Sequence, residues 1–210
     1  MRTEETQGNY LIVLVKTVDL LFLPEIYAMG KILILYYSKE GSTKKMAEYV
    51  REGVQQIPLH EIRFRSVNEA SQEDLIWCNG MAVGSPTYLG TVAAEMKKFW
   101  ESCLPVWQKI DGKIGCAFSS QGGWGGGAEL TCQALGTIMM NFGILFFGVT
   151  DYVAHQYTAH YGSIQAGKPR LEKEIASCRI IGKRLAEWVA VYVDGQREFH
   201  PLNMNYKRNP

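Results

Sequence analysis

The stretch Ile32-Leu33-Ile34-Leu35-Tyr36-Tyr37 constrains this chain most, because it is apolar without alternation and is followed at once by a hydroxyl-rich turn. A strand that is apolar on both faces has to be covered on both, which is the situation of a central strand in a parallel sheet. The next segment, Thr43 to Gln56, sets Met46, Ala47, Val50 and Val54 on one stripe, the spacing of an amphipathic helix. Strand and helix patterns then alternate without a break in composition. Leu59–Arg65 reads as a half-buried strand, and Ser66 to Asn79 as a short link to the buried strand Met81–Gly84. Val92–Leu104 is expected to be helical, Lys113–Ser119 a strand, Glu129–Asn141 a helix and Ile144–Val149 the fifth strand. A long helix over Lys173–Val193 would turn Ile175, Ile181, Leu185, Trp188, Val189 and Tyr192 inward.

Parallel strands need crossover helices, and right-handed crossovers leave few topologies. The expected fold is α/β, a doubly wound five-stranded parallel sheet of order 2-1-3-4-5 in a three-layer αβα arrangement. Such a sheet binds ligands beyond the carboxyl ends of its strands, at the point where the strand order reverses. The loops after strands 1, 3 and 4 should therefore meet.

All three loops are unusual. Ser38, Lys39, Glu40, Gly41, Ser42 and Thr43 put three hydroxyls and a glycine at a helix N-terminus, where free N–H groups and the helix dipole favour an anion. No GK[ST] sequence is present, so this is not a Walker A loop. The plain alternative is an ordinary turn in which Ser38 or Ser42 caps the helix. The second loop, Gly84-Ser85-Pro86-Thr87-Tyr88-Leu89-Gly90, offers an aromatic face on a proline-fixed turn; a surface-packed Tyr88 is its plain alternative. The third runs Ser119-Ser120-Gln121-Gly122-Gly123-Trp124-Gly125-Gly126-Gly127. Glycines at this density cost backbone entropy, and a backbone that presses its amides on a planar ligand explains them better than packing does. A phosphate pocket with aromatic and glycine-rich walls describes a flavin mononucleotide (FMN) site, by analogy with doubly wound folds that hold FMN at this switch point.

The near balance of 22 basic and 21 acidic residues argues against a dedicated nucleic-acid binder. The five cysteines are odd in number and show no CxxC spacing, so no disulfide framework is expected and a reducing cytoplasm is the default. The histidines at 60, 155, 160 and 200 form no HExxH pattern, and no protein-bound metal is expected. The apolar run Leu11–Leu23 is interrupted by Lys16 and Asp19, and it is shorter than the ~20 residues of a membrane span. Residues 1–28 read as an appendage or a misassigned start before Met29, with an extra edge strand as the alternative. One domain follows over 29–195, with a tail at 196–210. Ser85, Ser120 and Ser163 lack the GxSxG context of a hydrolase nucleophile.

KILILYYSKEGSTKKMAEYVREGV at 31–54, GSPTYLG at 84–90 and SSQGGWGGGAE at 119–129 together resemble the tryptophan-repressor-binding-protein (WrbA) family of NAD(P)H:quinone oxidoreductases, flavodoxin-like FMN proteins. HYGSIQAG at 160–167 and Gly182 also fall in place. The resemblance implies that Ser38 through Thr43 bind the FMN phosphate, and that Pro86, Thr87, Tyr88, Leu89 and Gly90 line the ribityl and isoalloxazine region. Ser120, Gln121, Gly122, Gly123, Trp124, Gly125 and Gly126 would contact the ring, largely through the backbone. By the same resemblance Glu40 and Trp107 would meet the substrates, and Trp124, from its place in the glycine-rich loop, is expected to stack nicotinamide or quinone on the flavin. The sequence departs from the family at Glu40, where a tyrosine is usual, at Tyr88, where an arginine is, and at Asn141-Phe142, where a flavin-proximal histidine is expected.

The expected activity is transfer of two electrons from NADH or NADPH, through FMN, to a small-molecule quinone or similar acceptor, in a homo-oligomer that is a tetramer or a dimer. The cofactor carries that chemistry, so no catalytic acid or base need appear. The alternative is a flavodoxin-type electron carrier without substrate turnover. Carriers commonly show an acidic face to their partners, and the balanced charge of this chain favours the enzyme.

Overall fold

The computed structural model describes residues 30–58 and 60–203. The expected start at Met29, and the structure of residues 1–28, lie outside the described residues. Strand β1 (Gly30–Tyr36) leads into helix α1 (Ser42–Val54), β2 (His60–Ser66), α2 (Gln72–Trp77), β3 (Gly80–Tyr88), a two-residue β4 (Thr91–Val92) and α3 (Ala94–Ser102). A 3-10 segment, Leu104–Lys109, precedes β5 (Ile114–Gln121) and α4 (Ala128–Asn141). Short strands β6 (Leu145–Phe146), β7 (Tyr152–Ala154), β8 (Tyr157–Thr158) and β9 (Ser163–Ala166) lead to α5 (Glu172–Tyr192) and a last 3-10 turn, Arg197–Phe199.

The main sheet runs β2-β1-β3-β5-β6, all parallel, with β9 also paired to β5. This is the doubly wound order expected. The unbroken apolar run of β1 explains the layering, because alternate residues feed opposite cores. Ile32, Ile34 and Tyr36 pack under α1 and α5, while Leu33 and Leu35 pack under α2, α3 and α4. On α1, Met46, Ala47, Val50 and Val54 form the buried stripe.

Three expectations are corrected. The fifth strand is not Ile144–Val149. Only Leu145 and Phe146 pair, with Ile114 and Gly115; the chain then leaves the sheet, and β9 fills the rest of that edge against Phe118–Gln121. The excursion holds the β7–β8 hairpin. The link between the second and third strands contains α2, whose six residues are too few to show a helical period. Its signal is local, with Asp74 accepting the Ser71 N–H at 3.0 Å in a capping box. On α5 the inward stripe is Cys178, Ile181, Leu185, Ala186 and Val189, while Tyr192 faces solvent.

Helices α1 and α5 touch backbone to backbone. A Cβ on Gly182 would clash with the Val50 carbonyl oxygen and lie 2.9 Å from its carbon; one on Gly53 would lie 2.9 Å from the Arg179 Cα. Glycine at both positions lets α5 press on the helix that carries the first loop. Among the described residues no helix is long and apolar enough to cross a membrane. All five cysteines are buried free thiols.

Candidate functional site

The carboxyl ends of β1, β3 and β5 bring the three loops together, as the switch-point argument requires. In the first loop Gly41, at φ 83°, is the N-cap of α1, and no side chain caps the helix. The capped-turn alternative therefore fails. The first intrahelical bond runs from Lys45 N–H to the Gly41 carbonyl, so the amides before it have no helical acceptor. No acidic side chain occupies this first turn. The Ser38 hydroxyl is buried and has no hydrogen-bond partner among the described residues. Unbonded amides, the positive end of a helix and an idle buried hydroxyl together suit an anion.

Thr43 binds loop one to loop three, its hydroxyl 2.8 Å from that of Ser120. Thr87 is held in a directional chain. The single proton of Ser119 goes to the Ser85 carbonyl at 2.8 Å, so Thr87 donates to Ser119 at 2.9 Å and Thr131 donates to Thr87 at 2.9 Å. What Thr87 keeps for a ligand is an acceptor. Beyond it the backbone reverses through Leu89 and Gly90, at φ 50° and 81°, into β4, a tight two-residue hairpin that leaves Leu89 fully exposed.

In the third loop the Gln121 side chain accepts the Ala128 N–H at 3.0 Å, which leaves its amide nitrogen buried and unpartnered among the described residues. A Cβ on Gly122 or Gly123 would meet nothing within 4 Å. Packing inside this chain therefore does not require glycine at these positions. Trp124 is 59% exposed and meets Tyr157 edge-on, ring centroids 6.5 Å apart.

A cleft of about 230 Å³ is lined by Ser38, Lys39, Glu40, Ser42, Thr43, Pro86, Thr87, Tyr88, Ser120, Gln121, Gly122 and Gly167. Tyr88 and Lys39 separate it from an apolar groove of about 770 Å³ floored by Val92, Ala134 and Ile138. Of the residues expected here, Gly41, Leu89, Gly90, Gly123, Trp124, Gly125 and Gly126 lie outside the lining. Trp107 is not brought to the site. It lies in the 3-10 segment before β5 and donates its indole N–H to the Asn141 carbonyl, at the opposite end of the sheet. The motif at 160–167 includes Gly167, but it was given no role at the site, because the fifth strand was expected over Ile144–Val149 and β9 was not foreseen.

Two tyrosines set the local electrostatics. Tyr37 donates to Glu95 at 2.7 Å, and that bond pushes the phenol up to about 12 and holds the Glu95 carboxyl below its ordinary value. Burial first, then Glu40 and Glu95, raise the Tyr88 phenol above its ordinary value of 10.0.

The Flavodoxin domain family matches residues 33–112. A relative named flavodoxin, from Aquifex aeolicus, is 54% identical over 171 residues, 81% of this chain and 92% of its own. A protein of Chromohalobacter salexigens named NAD(P)H dehydrogenase (quinone) is 27% identical, covering 77% of this chain and 98% of its own. Among solved structures, a flavodoxin from the domain Archaea superposes with a TM-score of 0.60 at 26% identity, over 76% of this chain and 98% of its own. A WrbA-like flavodoxin from Agrobacterium tumefaciens gives 0.61 at 22% identity, over 76% and 97%.

Proposed function

The chain belongs to the flavodoxin family, and on that premise we propose that it is an FMN-binding electron carrier. The observation that carries this reading is the 54% identity to a flavodoxin over nearly all of that protein's length, joined to a cleft with the right donors. The residues present fit FMN. The amides of the first turn of α1, the idle Ser38 hydroxyl and the Thr43–Ser120 pair suit a phosphate. The unpartnered Gln121 amide and the open backbone at Gly122 suit the carbonyl edge of a flavin ring. Bound FMN supplies reversible transfer of one or two electrons.

The chain's own part is to hold and to limit. α1 fixes the phosphate end, and fixed amides offer donors where a reduced flavin carries negative charge. The neutral, raised Tyr88 gives a flat wall without competing charge. Buried free thiols suit reducing surroundings.

This reading takes the carrier over the quinone reductase that the loop motifs led us to expect. The balanced overall charge carries less weight, since partner choice depends on the local face around the cleft and not on the net count. The reductase remains a second reading because relatives at 27% and 29% identity are named NAD(P)H dehydrogenase (quinone). Nicotinamide use and the homo-oligomer belong with that second reading. Mixing FMN-loaded protein with NADH or NADPH and a benzoquinone separates the two. A carrier is reduced by dithionite and passes electrons to cytochrome c, but shows no sustained nicotinamide oxidation. Steady turnover at about 1 s⁻¹ or faster with either nicotinamide would install the reductase instead.

A further inference from the structure

One basic side chain reaches the first loop from the far edge of the sheet. β9 ends at Ala166, and Gly167, at φ 75°, turns the chain while donating its N–H to the Gln121 carbonyl at 2.8 Å. Three residues on, the N–H groups of Arg170 and Leu171 donate to one Glu174 carboxylate oxygen at 2.8 and 3.0 Å. Lys168 is thus held between two anchors with a buried Pro169 beside it. Its side chain extends over Gly41: a Cβ built there would lie 3.6 Å from the lysine Cε and 3.7 Å from its Nζ.

That is an unfavourable place for a lone cation. The start of α1 already presents unbonded N–H groups and the positive end of its dipole, and Lys39 lines the same cleft. Among the described residues no carboxylate lies within ion-pair distance of the Lys168 ammonium. Glu40, the acid adjacent in the loop, is a single charge on an exposed side chain. A ligand carrying two negative charges, seated on the loop amides, would turn this repulsive cluster into a complementary one.

We propose that Lys168 is the counter-charge of the phosphate monoester held by the first loop, and that it sets the chain's preference for FMN over riboflavin. The inference rests on the FMN reading above and extends it, because apart from Lys39, an exposed side chain of the loop itself, the other donors at the phosphate are neutral amides and hydroxyls. Lys168 stands beside Gly41, next to the cleft whose lining ends at Gly167, so a phosphate seated on the first loop would tie the segment after β9 to the segment after β1. The pair is solvent-facing, and salt therefore weakens it.

The test is flavin fluorescence quenching by wild type, Lys168→Gln and Lys168→Arg, with FMN and with riboflavin, at about 20 mM and about 500 mM salt, the second having a Debye length of only a few ångströms. At low salt Lys168→Gln should weaken FMN about tenfold, the scale of a charge-assisted bond to phosphate discounted for exposure, and leave riboflavin within about twofold of wild type. Lys168→Arg should restore most of the FMN affinity, and the glutamine variant should lose much of the salt dependence. Inorganic phosphate should compete with FMN less well in the glutamine variant than in wild type. Equal FMN affinity in wild type and Lys168→Gln overturns the inference alone. So does a parallel loss of FMN and riboflavin, which would mark a merely structural lysine. Failure of wild type to bind either flavin overturns the FMN reading and this inference with it.

Discussion

Replacing Gly182 with alanine should destabilise the protein, although alanine is the better helix former. In an open helix Gly→Ala gains about 1 kcal/mol. Here the new Cβ would clash with the Val50 carbonyl oxygen and sit 2.9 Å from its carbon and 3.1 Å from the Val54 nitrogen. Those atoms are helix backbone and cannot swing aside. Carbon pairs prefer about 3.5–4.0 Å, so α1 and α5 would have to part by about 1 Å. Overpacking of that kind costs about 3 kcal/mol at the upper end of the usual range. The net loss is about 2 kcal/mol, and it would also displace the helix that begins at the first loop. Urea denaturation measures it directly, as a lower midpoint at unchanged slope. FMN affinity should fall with it. A Gly182→Ala protein as stable as wild type, or more so, would refute the close helix contact.

Ser38→Ala should act with opposite signs on the two states. It removes an idle buried hydroxyl from the empty protein, leaving stability unchanged or slightly higher, and removes a phosphate donor, weakening FMN about fivefold, or about 1 kcal/mol; urea midpoints and flavin titration read the two effects. Tyr37→Phe should let the Glu95 carboxyl return upward toward its ordinary value, as seen in an NMR titration. Glu95 is held low when folded, so its contribution to stability is present above the ordinary carboxylate range and lost as pH falls through the folded value. Tyr37 is held at about 12, so its contribution is complete below the ordinary phenol value of 10.0 and lost as pH rises toward 12. Both pH dependences should flatten in the variant. The five buried thiols should stay silent toward a thiol reagent until the protein unfolds, since burial pushes Cys103 up to about 11, Cys78 and Cys178 to about 12, and Cys116 and Cys132 higher still. A thiol that reacts within minutes in the native state would contradict their packing.

The first half of the fold was plain in the sequence because each element carried its own signal. β1 is apolar on both faces, α1 has a clean helical stripe, and both central strands end in small and hydroxyl residues. The fifth strand was misread because Gly143 to Val149 is apolar throughout, and length alone cannot tell a strand from an apolar exit off the sheet. At Gly148 a Cβ would clash with the His160 carbonyl, so the outgoing and returning arms of the excursion touch backbone to backbone. Ser163–Ala166 is too short to stand out. The cleft was legible as three converging loops, but its fourth wall, at Gly167, follows β9, a strand with no signal of its own. Trp107 was placed by family register alone, and nothing in its local sequence carried a site. Trp124 was recognised as unusual for a sound reason, its glycine surroundings, yet its orientation toward Tyr157 is set by the hairpin excursion that the sequence did not reveal.

The most direct test of the central claim is titration of the purified, flavin-free protein with FMN at micromolar concentration. Quenching of flavin fluorescence should end at one equivalent, with FAD bound more weakly because its pyrophosphate offers the loop a singly charged diester in place of a dianionic monoester. A titration with no quenching, or with FAD and FMN bound alike, would contradict the assignment of the cleft.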